Sequence, residues 1–426
     1  MSAFDKVIGY DAIKRELMEI CDMVKNRSFY TELGADLPQG ILLDGDPGLG
    51  KTLMAKCFLE ECNLTTYTIR RNKSTGDFVA EITDTFTKAA ENAPSIIFLD
   101  DMDKFANEDY SHRDTEEYVA IQSGIDEVKG KDVFVIATTN DYYKLPDSLV
   151  RAGRFDKKIC VRTPNDNDAY QIIEHYLSNK KVSEDVNMND LVRMFSYSSC
   201  AELESIINEA AISAASRRKD SIQMEDIVNA VLRSQYDSPD DFSSKPEEEM
   251  NRIALHEAGH LVVSEIITPE SVGLASIRSN GNNENGGFVH LCKKMPVQFQ
   301  HAYIGLAGKV AVELYYADAC TLGCDEDLNK VIELIEEDMT ENASCGISML
   351  DLTSGYARYS SDAYKTSIEA VVRVELERVL IKTREILLKN REFLEKTAKA
   401  LAEKQTLLYS DIQRIRNECS ITEVSL

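Results

Sequence analysis

Two histidines four residues apart frame a glutamate in the stretch His256-Glu257-Ala258-Gly259-His260. On a helix, residues at that spacing share one face, so both imidazoles can reach a single metal ion. Glu257, next to the first imidazole, is placed to take a proton from an attacking water. This is the H-E-x-x-H arrangement of zinc hydrolases; alone, it competes with a pair of surface histidines beside a solvated carboxylate. The run 246–255 leading into it is charged and helix-prone, and Leu261-Val262-Val263 follows, so a helix is expected to carry the motif.

A second group of chemistry-bearing residues lies near the start. Gly40-Ile41-Leu42-Leu43-Asp44 reads as a short strand, and Gly45-Asp46-Pro47-Gly48-Leu49-Gly50-Lys51-Thr52 follows at once. That is G-x-x-x-x-G-K-T between a strand and a helix opening at Leu53, the context a phosphate-binding loop requires. Asp46 to Leu53 are therefore expected around a nucleotide. Lys51 would reach its β- and γ-phosphates, and the Thr52 hydroxyl would bind Mg²⁺. The apolar run Ser95–Leu99 reads as a central parallel strand ending in Asp100-Asp101. At a strand's C-terminal end Asp100 can hold Mg²⁺ and Asp101 can polarise the attacking water. A further buried strand, from Val133, ends at Asn140, whose amide can touch the γ-phosphate. Arg151 and Arg154 sit near a turn; beside a nucleotide they can act in trans from a neighbouring subunit.

The elements that must position these groups fall into blocks. A chain of 426 residues has room for two or three domains. Strands alternate with helices up to about Thr163, and the pattern then turns helical. The stretch 234–246 is polar, rich in Ser and Asp, and reads as a linker. Beyond the H-E-x-x-H helix, Ser279–Gly287 is a turn signal between two strand-like runs, and the rest reads as helix. Tyr303–Cys320, the most apolar stretch, carries Lys309, Glu313 and Asp318 and reads as a buried amphipathic helix, not a membrane span. The apolar content of 43% suits a globular protein, and a net charge of −25 argues against a nucleic-acid binder. Ten scattered cysteines with no C-x-x-C pair read as reduced cytoplasmic thiols.

Taken in order, the phosphate loop, the Asp-Asp strand, the terminal Asn, the R-x-x-R-F-D segment, the helical lid and H-E-A-G-H closely resemble the FtsH family of ATP-dependent zinc metalloproteases. The resemblance runs from Phe4 to about Ile415. Phe4-Asp5-Lys6-Val7-Ile8-Gly9 is similar to the adenine-contacting opening of the family's AAA+ module, which implies nucleotide contacts at Ile8 and Gly9. By composition Asp325, Glu326 and Asp327 are equal candidates for a third metal ligand. The resemblance of Leu322–Leu328 to the family's T-G-A-S-N-D-L segment selects Asp327. Gly76-Asp77-Phe78-Val79-Ala80 is what remains of the family's pore loop, which makes Phe78 either a substrate-gripping aromatic or an ordinary core aromatic at a helix start.

Several positions depart from the family's pattern. Asp101 stands for a glutamate, Leu49 for a threonine, and Asp126-Glu127-Val128 for an intersubunit D-G-F signal. The family's N-terminal membrane segment has no counterpart, so no membrane anchoring is implied.

The expected fold is an α/β AAA+ nucleotide-binding subdomain (1–162), an all-helical lid (163–233), a linker (234–246) and a mainly helical zinc protease domain (247–426). The resemblance implies ATP, Mg²⁺ and Zn²⁺ as cofactors, polypeptide substrates and a homohexamer. Two other classes compete with this reading. One is an ATP-dependent remodeller with a silent protease site, and the other an ATP-binding scaffold that turns ATP over slowly.

Overall fold

The computed structural model describes residues 2–71, 74–106, 115–151, 153–238, 246–278, 286–316, 324–341 and 362–426. They form two compact units, Met1–Asn179 with Tyr197–Ser205, and Lys180–Ser196 with Ile206–Leu426.

The first unit holds α1 (Asp11–Lys25), α2 (Arg27–Glu32), β1 (Gly40–Asp44), α3 (Lys51–Cys62), β2 (Thr65–Ile69), α4 (Thr75–Glu91), β3 (Ser95–Leu99), α5 (Thr115–Glu127), β4 (Val133–Thr139), α6 (Asp147–Val150), β5 (Lys157–Cys160) and α7 (Asp166–Ser178). Its strands make one parallel sheet in the order β2-β3-β4-β1-β5. Every residue of β1, β3 and β4 is buried, which is why they read as unbroken apolar runs instead of alternating ones. Because β3, β4 and β1 are neighbours, the phosphate loop, Asp100-Asp101 and Asn140 all leave the same edge of the sheet. Crossover connections put that edge where α/β sheets take ligands.

Phe78 requires a correction. It is fully buried in the cluster that contains Ile82, Phe86 and Leu99, and its ring meets that of Phe105 edge-on at 5.3 Å. A side chain so placed has no face to offer a passing polypeptide, so it serves as a core aromatic of α4 and not as a pore residue. The apolar positions of α4 (Phe78, Ile82, Phe86, Ala89) recur at helical spacing and are all buried, and Phe78 is the first of that stripe.

The second unit holds α8 (Met188–Met194), α10 (Met224–Tyr236), α11 (Glu247–Ile267), β6 (Val272–Ser276), β7 (Phe288–Leu291), α12 (Gln300–Tyr315), α13 (Cys324–Glu341), α14 (Asp362–Lys389), α15 (Arg391–Lys404), β8 (Thr406–Leu408) and α16 (Tyr409–Asn417). The helix α9 (Cys200–Ser216) contributes to the first unit up to Ser205 and to the second from Ile206. The strands form an antiparallel sheet in the order β7-β6-β8.

In α11 three glutamates, Glu247 to Glu249, occupy the first turn, where the exposed N–H groups favour negative charge. From Ala254 to Ile266 the helix is buried nearly all round, packed among α12, α14 and α15. Two sequence expectations shift here. The helix α10 runs on to Tyr236, into the stretch read as linker, where Tyr236 stacks on Phe288 with ring centroids 3.7 Å apart. Thr406-Leu407, read as part of the closing helices, is a strand, because Gln405 turns into the left-handed region (φ 62°) and ends α15. Most of the expected 279–287 turn, and residues 317–320 of the expected apolar helix, lie outside the described residues.

Candidate functional site

In the first unit the phosphate loop is built by backbone shape. Gly48 and Gly50 adopt φ of 80° and 85°, a region that residues with a Cβ rarely enter, and they turn the chain into the N-terminus of α3. Lys51 is buried, and its Nζ donates to the carbonyls of Gly45 and Asp46 at 2.6 and 2.7 Å. Burial depresses its pKa, against the pull of Asp101 and Asp103. Asp46, Pro47 and Gly48 are exposed on the loop, Leu49 is buried beneath it, and Leu53 is exposed on the first turn of α3. The Thr52 hydroxyl donates to Asp100 Oδ1 at 3.0 Å, so hydroxyl and carboxylate stand together as a Mg²⁺ site needs.

Asp101 takes up a left-handed backbone (φ 55°), and its N–H donates to Thr138 Oγ1 at 2.9 Å. Asn140 is held by its own N–H, which donates to Asp103 Oδ1 at 2.9 Å, while its side-chain amide reaches Asp101 Oδ1 at 3.4 Å. Thr138 and Asp103 were not singled out from the sequence. The signal was there, in three carboxylates at 100, 101 and 103 and a Thr-Thr-Asn strand end.

At the chain start Gly9 has φ 70°, and the next N–H, of Tyr10, donates to Asp168 Oδ1 at 2.8 Å; Ile8 is half-buried beside them. The two arginines part company. Arg151 is exposed, whereas Arg154 is buried and forks onto Asp126 through Nε (3.2 Å) and Nη2 (2.7 Å), with a further bond to the Ser148 carbonyl. Asp126, the first residue of the Asp126-Glu127-Val128 segment, is thereby paired with Arg154 within the chain.

In the second unit the H-E-x-x-H residues lie on one face of α11, and α13 brings Asp327 to them. His260 Nε2 is 2.9 Å from His256 Nε2, and Asp327 Oδ2 is 3.3 Å from each imidazole nitrogen. Among the described residues these three form the one His/Cys/Asp/Glu cluster of metal-ligand geometry. Donors about 2.0–2.1 Å from a tetrahedral zinc stand about 3.3 Å apart, so the donor set fits that ion. The resemblance chose Asp327 from three neighbouring acids, and Asp327 is the one whose carboxylate meets both imidazoles.

Further groups support the ligands. His260 Nδ1 is 2.6 Å from the Ile304 carbonyl on α12, the partner that fixes a ligating ring's tautomer. The Cys324 thiol lies 4.0 Å from His256 Nδ1. A Cβ on Gly308 would come within 2.5 Å of both imidazoles, so only a bare backbone lets α12 pass them. These three positions carry no motif, and spacing could not have revealed them.

Glu257 is buried beside the pair, and burial raises its pKa against the opposing fields of His256 and His260. Burial alone would lower the pKa of His260, but the hydrogen bond to Asp327 and the field of Glu257 outweigh it and hold it at about 8. For Asp327 burial works upward, yet the two imidazoles hold its carboxyl far below the usual carboxylate range. The cluster opens on a cleft of about 680 Å³ whose walls include Phe288, Val289 and Leu291 of β7. Among the described residues no helix is long and apolar enough to cross a membrane.

A parallel sheet bearing a phosphate loop, joined in one chain to an H-E-x-x-H helix with a distant aspartate, defines an AAA+ ATPase fused to a zinc metallopeptidase fold. Comparison with known proteins agrees segment by segment. Residues 41–163 match the ATPase family associated with various cellular activities (AAA), residues 185–229 the AAA+ lid domain, and residues 244–415 peptidase family M41. The ATP-dependent zinc metalloprotease FtsH of Caldicellulosiruptor bescii is 29% identical, over 97% of this chain and 71% of its own length. FtsH 2 of Salinibacter ruber is 31% identical over 78% of this chain and 51% of its own length. FtsH of Leptotrichia buccalis is 29% identical over 97% of this chain and 56% of its own length. The chain thus spans from about half to about seven-tenths of these relatives. It belongs to the FtsH family.

Proposed function

We propose that this chain is an ATP-dependent metalloendopeptidase that moves protein substrates with one unit and cuts them with the other. The observation that carries the reading is the convergence of His256, His260 and Asp327 donor atoms to within 3.3 Å on a cleft that also holds buried Glu257. His256, His260 and Asp327 would hold Zn²⁺, which when bound polarises the scissile carbonyl and acidifies water. Glu257 takes the proton from the attacking water and passes it to the leaving amine. Its raised proton affinity, a consequence of burial, suits both halves of that task. Among the described strands β7 pairs with β6 alone, so its free edge can hold an extended peptide as an added strand along the cleft.

For the nucleotide, the loop backbone and Lys51 receive the phosphates, Thr52 and Asp100 would hold Mg²⁺, and Asp101 takes the proton from the hydrolytic water beside Asn140. Ile8 and Gly9 lie against the adenine end. The ATPase subdomain spans 1–162, the lid 163–236 to the end of α10, the linker 237–246 and the protease 247–426. Six copies in a ring, working in the cytoplasm, would let Arg151 reach a neighbour's nucleotide. Arg154 first has to release Asp126.

The test is degradation of a tagged folded protein with and without ATP, and with zinc stripped and restored. The reading requires loss of degradation on either omission and recovery on either return. Degradation that ignores both, or a purified chain that takes up no zinc, would overturn it.

A further inference from the structure

We infer that α10, the last helix before the linker, is a positioning element of the peptide cleft: Tyr236 and Asn229 hold the β6–β7 hairpin beside Glu257 and set how tightly an extended peptide binds. Tyr236 is the last residue of α10, and Asn229 stands seven positions before it. Two helical turns bring the two side chains onto one face of the helix. Each grips one arm of the hairpin. The Tyr236 ring lies almost parallel to that of Phe288 on β7, 7° apart with centroids at 3.7 Å, and its hydroxyl is 2.7 Å from His290 Nδ1 on the same strand. Asn229 Oδ1 accepts from Arg278 Nη1 at 2.6 Å, two residues past the end of β6, with both residues buried.

Those contacts sit at one end of the hairpin, and that end meets the carboxylate assigned to proton transfer. Phe288 pairs with Ser276, the last residue of β6. Next to it, Gly287 packs so close to Glu257 that a Cβ there would stand 2.7 Å from Glu257 Cγ. Gly286, Gly287 and Phe288 all line the cleft. A peptide laid along β7 therefore passes the clamp beside Glu257. Among the described strands β7 has only β6 next to it, and its four residues are all half-buried. So short a strand, paired on one side, is poorly ordered by its ladder alone. A strand that must become ordered at the moment of binding lowers the affinity by that ordering, whereas a strand already fixed does not. The aromatic stack and the Asn229–Arg278 bond supply the fixing, and both come from the lid's closing helix.

The inference rests on the peptide cleft proposed above, and reading binding without turnover keeps the two apart. A fluorescein-labelled casein peptide is titrated with the zinc-loaded full chain carrying Glu257→Gln, with and without Tyr236→Ala, and binding is followed by anisotropy. Tyr236→Ala is expected to weaken binding about tenfold with zinc content unchanged. Tyr236→Phe keeps the ring and loses only the hydroxyl contact, and is expected to recover most of the affinity. With Glu257 restored, Tyr236→Ala is expected to raise KM for a short fluorogenic peptide about tenfold and to leave kcat within about threefold. Hydrogen exchange of the β7 amides is expected to quicken in the same variant. Unchanged affinity and KM in Tyr236→Ala would overturn the inference. So would a fall in kcat and zinc content at constant KM, which would mean that Tyr236 supports the metal fold as a whole. A parent chain that binds the peptide but never cuts it would defeat the proposed function, and the affinity ratio would still decide this inference. A parent chain that binds no peptide would overturn both.

Discussion

Lys104 Nζ lies 2.6 Å from Asp101 Oδ2, so the carboxylate assigned to the hydrolytic water is already engaged by a cation three residues away. Arg70 adds a second, more distant one at 4.0 Å. Burial would raise the pKa of Asp101, but the Lys104 bond and these charges win and hold it low. A carboxylate so stabilised is a weak base, and it is also one methylene shorter than glutamate. Lys104→Ala is therefore expected to raise kcat for ATP several-fold with KM nearly unchanged. Asp101→Asn is expected to lower it about 10²-fold or more. Steady-state ATPase assays check both; a Lys104→Ala enzyme no faster than the parent would show that the pair dissolves once nucleotide binds.

Glu257→Gln keeps the shape of the side chain and removes its proton chemistry. Peptide cleavage is expected to fall about 10²–10⁴-fold, with zinc content and ATP turnover retained. Casein hydrolysis, metal analysis and phosphate release on one preparation separate these outcomes. Loss of ATP turnover as well would contradict two independent centres.

Gly308→Ala sets a methyl against His256 and His260, 2.5 Å from their ring atoms. The rings must turn or α12 must retreat, and either breaks the donor triangle. Bound zinc is expected to drop at least tenfold, measured by elemental analysis after equilibration with limiting zinc. An unchanged metal content would mean that α12 gives way freely.

His290 makes stability depend on pH. Its Nδ1 lies 2.7 Å from the Tyr236 hydroxyl, Nε2 is buried without a hydrogen-bond partner, and burial lowers its pKa to about 4. The unfolded chain binds this proton from about pH 6.5 downward and the folded chain from about pH 4. Stability is therefore lost as pH falls through the 6.5–4 window, by about 3 kcal/mol in all. Urea unfolding across that range is expected to show the slope in the parent and a shallower one in His290→Gln.

Much of this was legible in the sequence, for identifiable reasons. Gly40–Asp44 and Ser95–Leu99 are strands over the expected residues because both faces of the sheet are covered and the apolar runs are unbroken. His256 and His260 sit one helical turn apart, so spacing alone predicts their common face. Asp327 is different: its partners are far away in sequence, and resemblance rather than periodicity singled it out. Phe78 shows the opposite failure, since a loop-like neighbourhood says nothing about which way a helix-start aromatic points. Arg154, read with Arg151 as able to act in trans on a nucleotide, binds Asp126, a pairing 28 residues apart that no local pattern encodes.

The bare stretch of α12 that lets the imidazoles approach has a mechanical consequence. Because α11 supplies two donors, α13 the third and the Ile304 carbonyl the brace, an ion seated there would fasten three helices at one point like a rivet. Chelation would then loosen the whole cleft wall, so a stripped preparation is expected to be softer to heat and to added protease as well as silent.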